Sequence, residues 1–152
     1  MRLKQRGVFD LHEVEDMLRR GRICHLAVND NGYPYVVPLN YAYADGCLYM
    51  HCASEGKKVE CLERDRNVAF SVVLHEELVT GDNACDYTMR YESVMGRGQV
   101  VILRDVDAIR EGLDVLMAAY PPCDCNYKEK YLGRMLVLKL RIQEMTGKRR
   151  TV

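Results

Sequence analysis

The chain has 152 residues, 48% hydrophobic and 29% charged, with 22 basic residues balanced by 22 acidic ones. That length suits one domain with a sizeable core, and the balanced charge gives no footprint for nucleic acid or an acidic membrane. No apolar run approaches the ~20 residues of a membrane span, and the opening MRLKQRG lacks the apolar core of an export signal, so a cytoplasmic protein is expected.

In chain order, Asp10 followed by Glu13 has the form of a capping box. Leu11, Val14 and Leu18 share one apolar face of the helix it opens, and Gly21 is placed to end that helix. Ile23–Val28 is a short apolar run leading to Asn31-Gly32, a hairpin signal, and the returning strand covers Tyr33–Tyr43. Pro38 removes a ladder donor, so that strand should lie at an edge or carry a bulge. Ala44-Asp45-Gly46 turns the chain into the next strand, and a three-stranded antiparallel meander is the simplest arrangement.

Cys47–Leu62 reads as a strand running straight into a helix. Tyr49 and His51 alternate with Leu48, Met50 and Cys52, and Ser54 stands at the N-cap position ahead of Lys57 and Lys58. A helix start offers unpaired N–H groups, and two lysines beside Gly56 make a seat for an anion or phosphate. A solvated lysine pair on an exposed helix is the plain alternative.

Asn67–His75 reads as a strand covered largely on both faces, and Glu76–Ala84 as a polar loop. Cys85–Leu103 is a long strand in which Gly96 and Gly98 mark a bulge or tight bend. Asp105 caps a helix with Val106, Ile109, Leu113 and Leu116 at helical spacing, and Pro121-Pro122 stops it. A short helix over Tyr127–Gly133 and a strand over Met135–Met145, with Leu136, Leu138, Leu140 and Ile142 on one face, close the chain. Six or so strands with helices at two crossings predict a mainly β protein built as a small antiparallel barrel. No G-x-G-x-x-G joins a strand to a helix, which argues against a Rossmann fold.

Seven cysteines, in a chain without an export signal, read as reduced thiols with no intramolecular disulfide, several of them buried. Cys123 and Cys125 form a C-x-C that Cys85 could join, but the second pair of a zinc site is missing and no metal is expected.

PYVVPLNY at 34–41, YMHCASEGKK at 49–58, YESVMGRG at 91–98 and EMTGKRR at 144–150 fall in an order and spacing that carry a resemblance. Together they resemble the pyridoxamine 5′-phosphate oxidase-like, FMN-binding split barrels, and among them the 5-nitroimidazole-resistance (Nim) branch. The resemblance covers nearly the whole chain. It implies a single antiparallel split β-barrel domain over residues 1–152, a homodimer, and one FMN at each end of the subunit interface. Pro38, Leu39, Asn40 and Tyr41 would then run beside the isoalloxazine ring, and His51, Cys52 and Ala53 would lie near the ribityl chain and ring. Lys57 and Lys58 would hold the phosphate, while Arg90, Tyr91 and Ser93 would approach from the long strand, in the same or the partner subunit. Among ten tyrosines, Tyr41, Tyr87 and Tyr91 are candidate interface anchors.

The activity so implied is that of an FMN-dependent oxidoreductase acting on a small acceptor such as a nitroimidazole or other nitroaromatic. His51 is the candidate proton donor, because imidazole is the side chain that titrates near neutrality; a histidine beside a cofactor also serves in packing. His25 and His75 read as structural. Two rival readings are a non-catalytic flavin- or haem-binding module, with His51 or a cysteine as axial ligand, and a structural dimer with an empty groove. The arginine-rich substrate loop of the pyridoxamine oxidases has no counterpart in Thr146–Arg150, so vitamin B6 oxidation is not expected. The C-x-C loop Pro121–Asn126 has no counterpart in the family pattern either.

Overall fold

Two tight turns set the register of the sheet. Asn31 and Gly32 have φ of 54° and 92°, and Asp45 and Gly46 have 48° and 71°. Positive φ at both central residues gives the hairpin turn whose twist matches the flanking strands.

The computed structural model describes residues 6–122 and 126–151. Its elements are β1 (Gly7–Val8), α1 (Leu11–Arg20), β2 (Ile23–Asp30), β3 (Tyr33–Asn40), β4 (Ala42–Ala44), β5 (Cys47–Ala53), α2 (Lys57–Arg64), β6 (Asn67–Val79), β7 (Thr88–Leu103), α3 (Val106–Met117), α4 (Glu129–Leu132) and β8 (Met135–Arg150). The strand pairs are antiparallel, in the order β3-β2-β6-β7-β8-β5-β4 with β1 added against β8.

The ends of that path, β3 and β4, are consecutive in the chain with only Tyr41 between them, so the sheet rolls round until it meets itself. Among the described residues no backbone hydrogen bond joins β3 to β4 or β5. The result is an antiparallel split β-barrel. The expected three-stranded meander does not form, because β3 pairs with β2 alone and the chain crosses the seam at Tyr41.

Tyr41 is fully buried; its hydroxyl donates to the Leu18 carbonyl at 2.8 Å and its amide to the Arg22 carbonyl at 3.1 Å. Gly21 makes room for it, since a Cβ there would lie 2.1 Å from the Tyr41 oxygen. Gly21 ends α1 with an ordinary φ of −69°, so close approach rather than a left-handed turn calls for glycine. Buried in this way, Tyr41 is not available as an interface anchor.

Local signals held where chemistry close in sequence decides. Asp10 accepts from the Glu13 amide at 3.1 Å, and Asp105 accepts from the amides of Asp107 and Ala108. Pro38 lies on an edge strand, and the register of β7 against β8 shifts between Arg97 and Gly98. Tertiary packing decided the rest. Leu11 and Val106 stay exposed, while Met17 joins Val14 and Leu18 in the barrel core. Burying such a side chain is worth about 1.5–3 kcal/mol, against roughly 1 for a cap, so packing fixes which face α1 turns inward.

β6 does not stop at His75 but passes through it as a bulge at φ 50° and pairs on to Val79. Ala69 and Val73 are exposed, so β6 is covered on one face only. Glu76–Val79 is therefore strand rather than loop, and β7 starts at Thr88 after a short 3-10 turn over Ala84–Asp86. α4 is shorter than expected, and β8 runs past Met145 to Arg150.

α1 leads into one end of β2, and α2 meets the other end at Asp30, so the two helices close opposite ends of the barrel. α3 lies outside, packing Ile109, Leu113 and Leu116 onto Ala42 and Val137 to form a second core. No helix among the described residues is long and apolar enough to cross a membrane.

Candidate functional site in the barrel split

The seam leaves backbone edges unsatisfied. β3 is bonded only to β2, and β4 covers β5 only over Cys47–Tyr49. One edge of β3, and that of β5 beyond Tyr49, thus carry N–H and C=O groups with no ladder partner. Between these strands lies a groove of about 380 Å³, lined by Leu39, His51, Cys52, Ala53, Lys58, Tyr131, Arg134 and Met135. Past Cys52, Ala53 and Lys58 it runs into a recess of about 200 Å³, where Tyr35, Glu55, Gly56 and Lys57 complete the wall.

The recess sits at the start of α2. The N-cap is Gly56, not Ser54, and no side chain caps this helix. The Ser54 amide instead donates to the Arg134 carbonyl at 3.1 Å, tying the end of β5 toward β8, and the turn into the helix comes at Gly56 with φ 114°. A side chain there would meet no atom within 4 Å but would strain the backbone. The first-turn N–H groups of α2 therefore open on the recess without a side-chain acceptor.

The two lysines differ. The Lys57 ammonium lies 2.6 Å from Asp30 Oδ2 and 5.0 Å from the Tyr35 ring centroid. Its hydrogen bond to Asp30 holds the carboxyl below its usual range and raises the lysine above its own. Lys58 is half-buried between groove and recess, and among the described residues no carboxylate lies within 4 Å of its ammonium or of the Arg134 guanidinium. Burial pushes the Cys52 thiol up, opposed by the charge of Lys58, so this cysteine stays a neutral wall. His51 is exposed in the groove.

Of the residues singled out from sequence, the groove and recess gather Leu39, His51, Cys52, Ala53, Lys57 and Lys58. Pro38 and Asn40 alternate with Leu39 and line neither cavity; Asn40 Nδ2 donates to the Tyr120 hydroxyl at 3.2 Å. Tyr41 is buried below the seam. Arg90, Tyr91 and Ser93 lie on β7 and line neither cavity of this chain; Arg90 pairs with Glu77 at 3.1 Å and Ser93 is buried. Sequence reasoning missed Tyr35, which strand alternation with Leu39 makes legible, and also Tyr131, Arg134 and Met135, which enter only through the pairing of β8 with β5 and the α4 turn just ahead of it.

Cys24, Cys47, Cys52 and Cys61 are free and buried, and Cys85 is free and exposed. Cys123 and Cys125 lie outside the described residues. Among those described, no three His, Cys, Asp or Glu side chains are placed to hold a metal ion.

Residues 10–149 match the pyridoxamine 5′-phosphate oxidase family. The chain belongs to this family. Within the same fold it is similar to a candidate 5-nitroimidazole antibiotic resistance protein of Bacteroides thetaiotaomicron, at 34% identity and a TM-score of 0.83, over 93% of this chain and 85% of that one. The flavocytochrome Anf3 of Azotobacter vinelandii superposes with a TM-score of 0.88 at 24% identity, over 100% of this chain and 72% of its own. An FAD- and haem-binding protein of Mycobacterium smegmatis gives 0.86 at 20%, over 97% and 74%. These last two share the fold. No curated protein matches the chain.

Proposed function

We propose that the chain is an FMN-binding oxidoreductase that reduces a small nitroaromatic acceptor. The observation that carries this reading is the groove in the seam, bordered by two unpaired strand edges and ending at Lys58 and the uncapped start of α2. Its parts fit a flavin mononucleotide. In Lys58 the recess has a cation with no carboxylate within 4 Å among the described residues, and free N–H groups for a phosphate, and the strand edges have donors and acceptors for the polar rim of a flat ring. The similarity to the Bacteroides protein supports the nitroimidazole class of acceptor.

When bound, a flavin would supply two-electron chemistry, taking a hydride equivalent from a reduced nicotinamide donor and passing it on, so that R–NO₂ with that hydride and one proton becomes R–NO and water. The chain's own part is to bind and orient. Lys58 and the α2 amides hold the phosphate, Leu39 and Tyr35 offer apolar wall, and Cys52 excludes water. His51, exposed on the groove, donates a proton to the acceptor.

A homodimer belongs to the same reading. Arg90, Tyr91 and Ser93 stand away from their own groove, and Val73 and Met95 are exposed on neighbouring strands of the outer face, which supports a partner copy covering that face. The free buried cysteines fit a reducing, cytoplasmic setting.

The absorption spectrum of the purified protein after incubation with FMN, followed by turnover of a nitroimidazole with a nicotinamide donor, tests the proposal. Retained flavin bands and nitro-group loss are expected. A Soret band with no flavin would replace this reading with a haem-binding one.

A further inference from the structure

The function just proposed leaves one cation of the groove without a task. Arg134 is exposed on the groove that Lys58 also lines, and it comes from the turn that joins α4 to β8. Its backbone is fixed there. The Arg134 amide donates to the Tyr131 carbonyl at 3.0 Å, and its carbonyl accepts from the Ser54 amide at 3.1 Å. Ser54 stands two residues ahead of Gly56, so the arginine side chain springs from beside the turn into α2, at the end of the groove where the recess opens.

The charges around the recess show why a second cation is needed. Lys57 and Asp30 pair at 2.6 Å and cancel. Glu55 and Lys58 line the recess with opposite charges. Together these groups offer an anion no net attraction, and Glu55 repels it. Arg134 tips the balance to positive. The other titratable groups on the groove are His51 and the buried Cys52, whose thiol stays neutral. A phosphate monoester carries a charge of about −1.5 to −2 at pH 7, whereas a phosphate esterified on both sides has no second ionisation. A guanidinium presents its N–H groups in a planar fork that matches two phosphate oxygens, and an ammonium is a point charge.

We infer that Arg134 is a second phosphate-binding residue, which with Lys58 clamps the terminal phosphate of the cofactor and makes the seat selective for a monoester dianion. The inference rests on the flavin reading for the identity of the group that carries the phosphate. Lys58 and the α2 amides supply positive charge from the helix, and Arg134 supplies it from the start of β8. With Glu55 close by, a phosphate of single charge gains little from the same cations. The seat therefore favours a mononucleotide over a dinucleotide, in which the phosphate next to the ribityl chain is esterified on both sides.

Fluorescence titrations of FMN, riboflavin and FAD into the full chain and into Arg134→Ala test the inference. Arg134→Ala should weaken FMN roughly tenfold and FAD by no more than about threefold. Riboflavin, which has the ring without the phosphate, should bind both chains equally and so reports that the variant is folded. Arg134→Lys should recover part of the FMN affinity, as charge without the fork. Glu55→Gln should tighten FMN about twofold, in the parent chain and in Arg134→Ala alike. An unchanged FMN constant in Arg134→Ala overturns the inference and leaves the flavin reading standing. So does a loss shared by riboflavin. A larger loss for FAD than for FMN also overturns it, and assigns Arg134 to the second phosphate of a dinucleotide. If the parent chain takes no flavin, phosphorus NMR line broadening of methyl phosphate decides. Broadening by the parent and not by Arg134→Ala supports the clamp and removes the flavin reading; broadening by neither removes both.

Discussion

Two places in this barrel gather cations, and they differ in what answers the charge. At the end closed by α1, Arg20 and Arg149 converge on Glu92 at 2.8 and 2.6 Å, Arg20 also meets Asp16, and Arg149 also reaches Glu13. At the seam, Lys58 and Arg134 face a groove with no carboxylate within reach among the described residues. The first cluster holds an N-terminal helix against the C-terminal strand, and its charges are satisfied inside the chain. On the proposed reading, the second is satisfied from outside, by a bound phosphate. If that reading holds, a cation answered within the fold marks scaffold, and one left open beside unpaired backbone marks a seat for a ligand.

The comparison predicts separable losses. The largest belongs to Lys58→Ala: a charge-assisted contact to phosphate is worth about 1.5–3 kcal/mol, so FMN affinity should fall roughly 10- to 150-fold with the denaturation midpoint unchanged. Fluorescence titration of FMN beside urea unfolding measures both, and a loss of stability with intact FMN affinity would reverse the assignment.

Next comes Glu92→Gln, with the opposite signature. Burial alone would raise this carboxyl, but the hydrogen bonds from Arg20 and Arg149 outweigh it and hold the pKa below its usual range. A depressed folded value means that its stabilisation is present above the unfolded pKa of ~4.3 and is lost as pH falls through the folded value. Glu92→Gln should therefore cost about 1.5–3 kcal/mol at neutral pH, with FMN affinity retained. Its acid-unfolding profile below pH ~4 should also be flatter than that of the parent chain. Parallel profiles would show that Glu92 is not the titrating group.

The smallest effect sharpens the contrast within the lysine pair itself. Lys57 is answered by Asp30, so Lys57→Ala should change FMN affinity by no more than about twofold, as expected of an exposed ion pair. Asp30→Asn frees Lys57 and should tighten FMN. If Lys57→Ala matched Lys58→Ala, the distinction between answered and open cations would fail at this site.

Much of this was legible in the sequence because it depends on few, neighbouring atoms. Asn31-Gly32 and Asp45-Gly46 dictate turns through the φ values they permit, Asp10 and Asp105 dictate helix starts, and Pro38 dictates an edge. The place of Lys58 in the first turn of a helix was legible for the same reason; that it holds an anion belongs to the proposal. What escaped depends on partners far along the chain. Nothing local to Tyr41 says that its ring will sink between α1 and β6 and carry the strand across a seam. Strand alternation in β6 survives a bulge at His75 only because β7 pairs beyond it. Ser54 is a good cap by type, but its backbone is claimed by Arg134 across the sheet, which moves the helix start to Gly56. Lys57 looks like its neighbour until the folded barrel brings Asp30 to it.

The crossing at Tyr41 has a mechanical consequence. Elsewhere in the barrel, adjoining strands are yoked by rows of backbone bonds, so moving one drags the next. Across the seam, β3 and β5 share no such row; they are connected by one short stretch of chain, clasped where the Tyr41 phenol reaches the Leu18 carbonyl. The aperture of the groove is thus compliant in a barrel that is otherwise stiff. Widening it would break no backbone ladder bond, because the only chain joining its two lips is the stretch that Tyr41 anchors to Leu18 and Arg22.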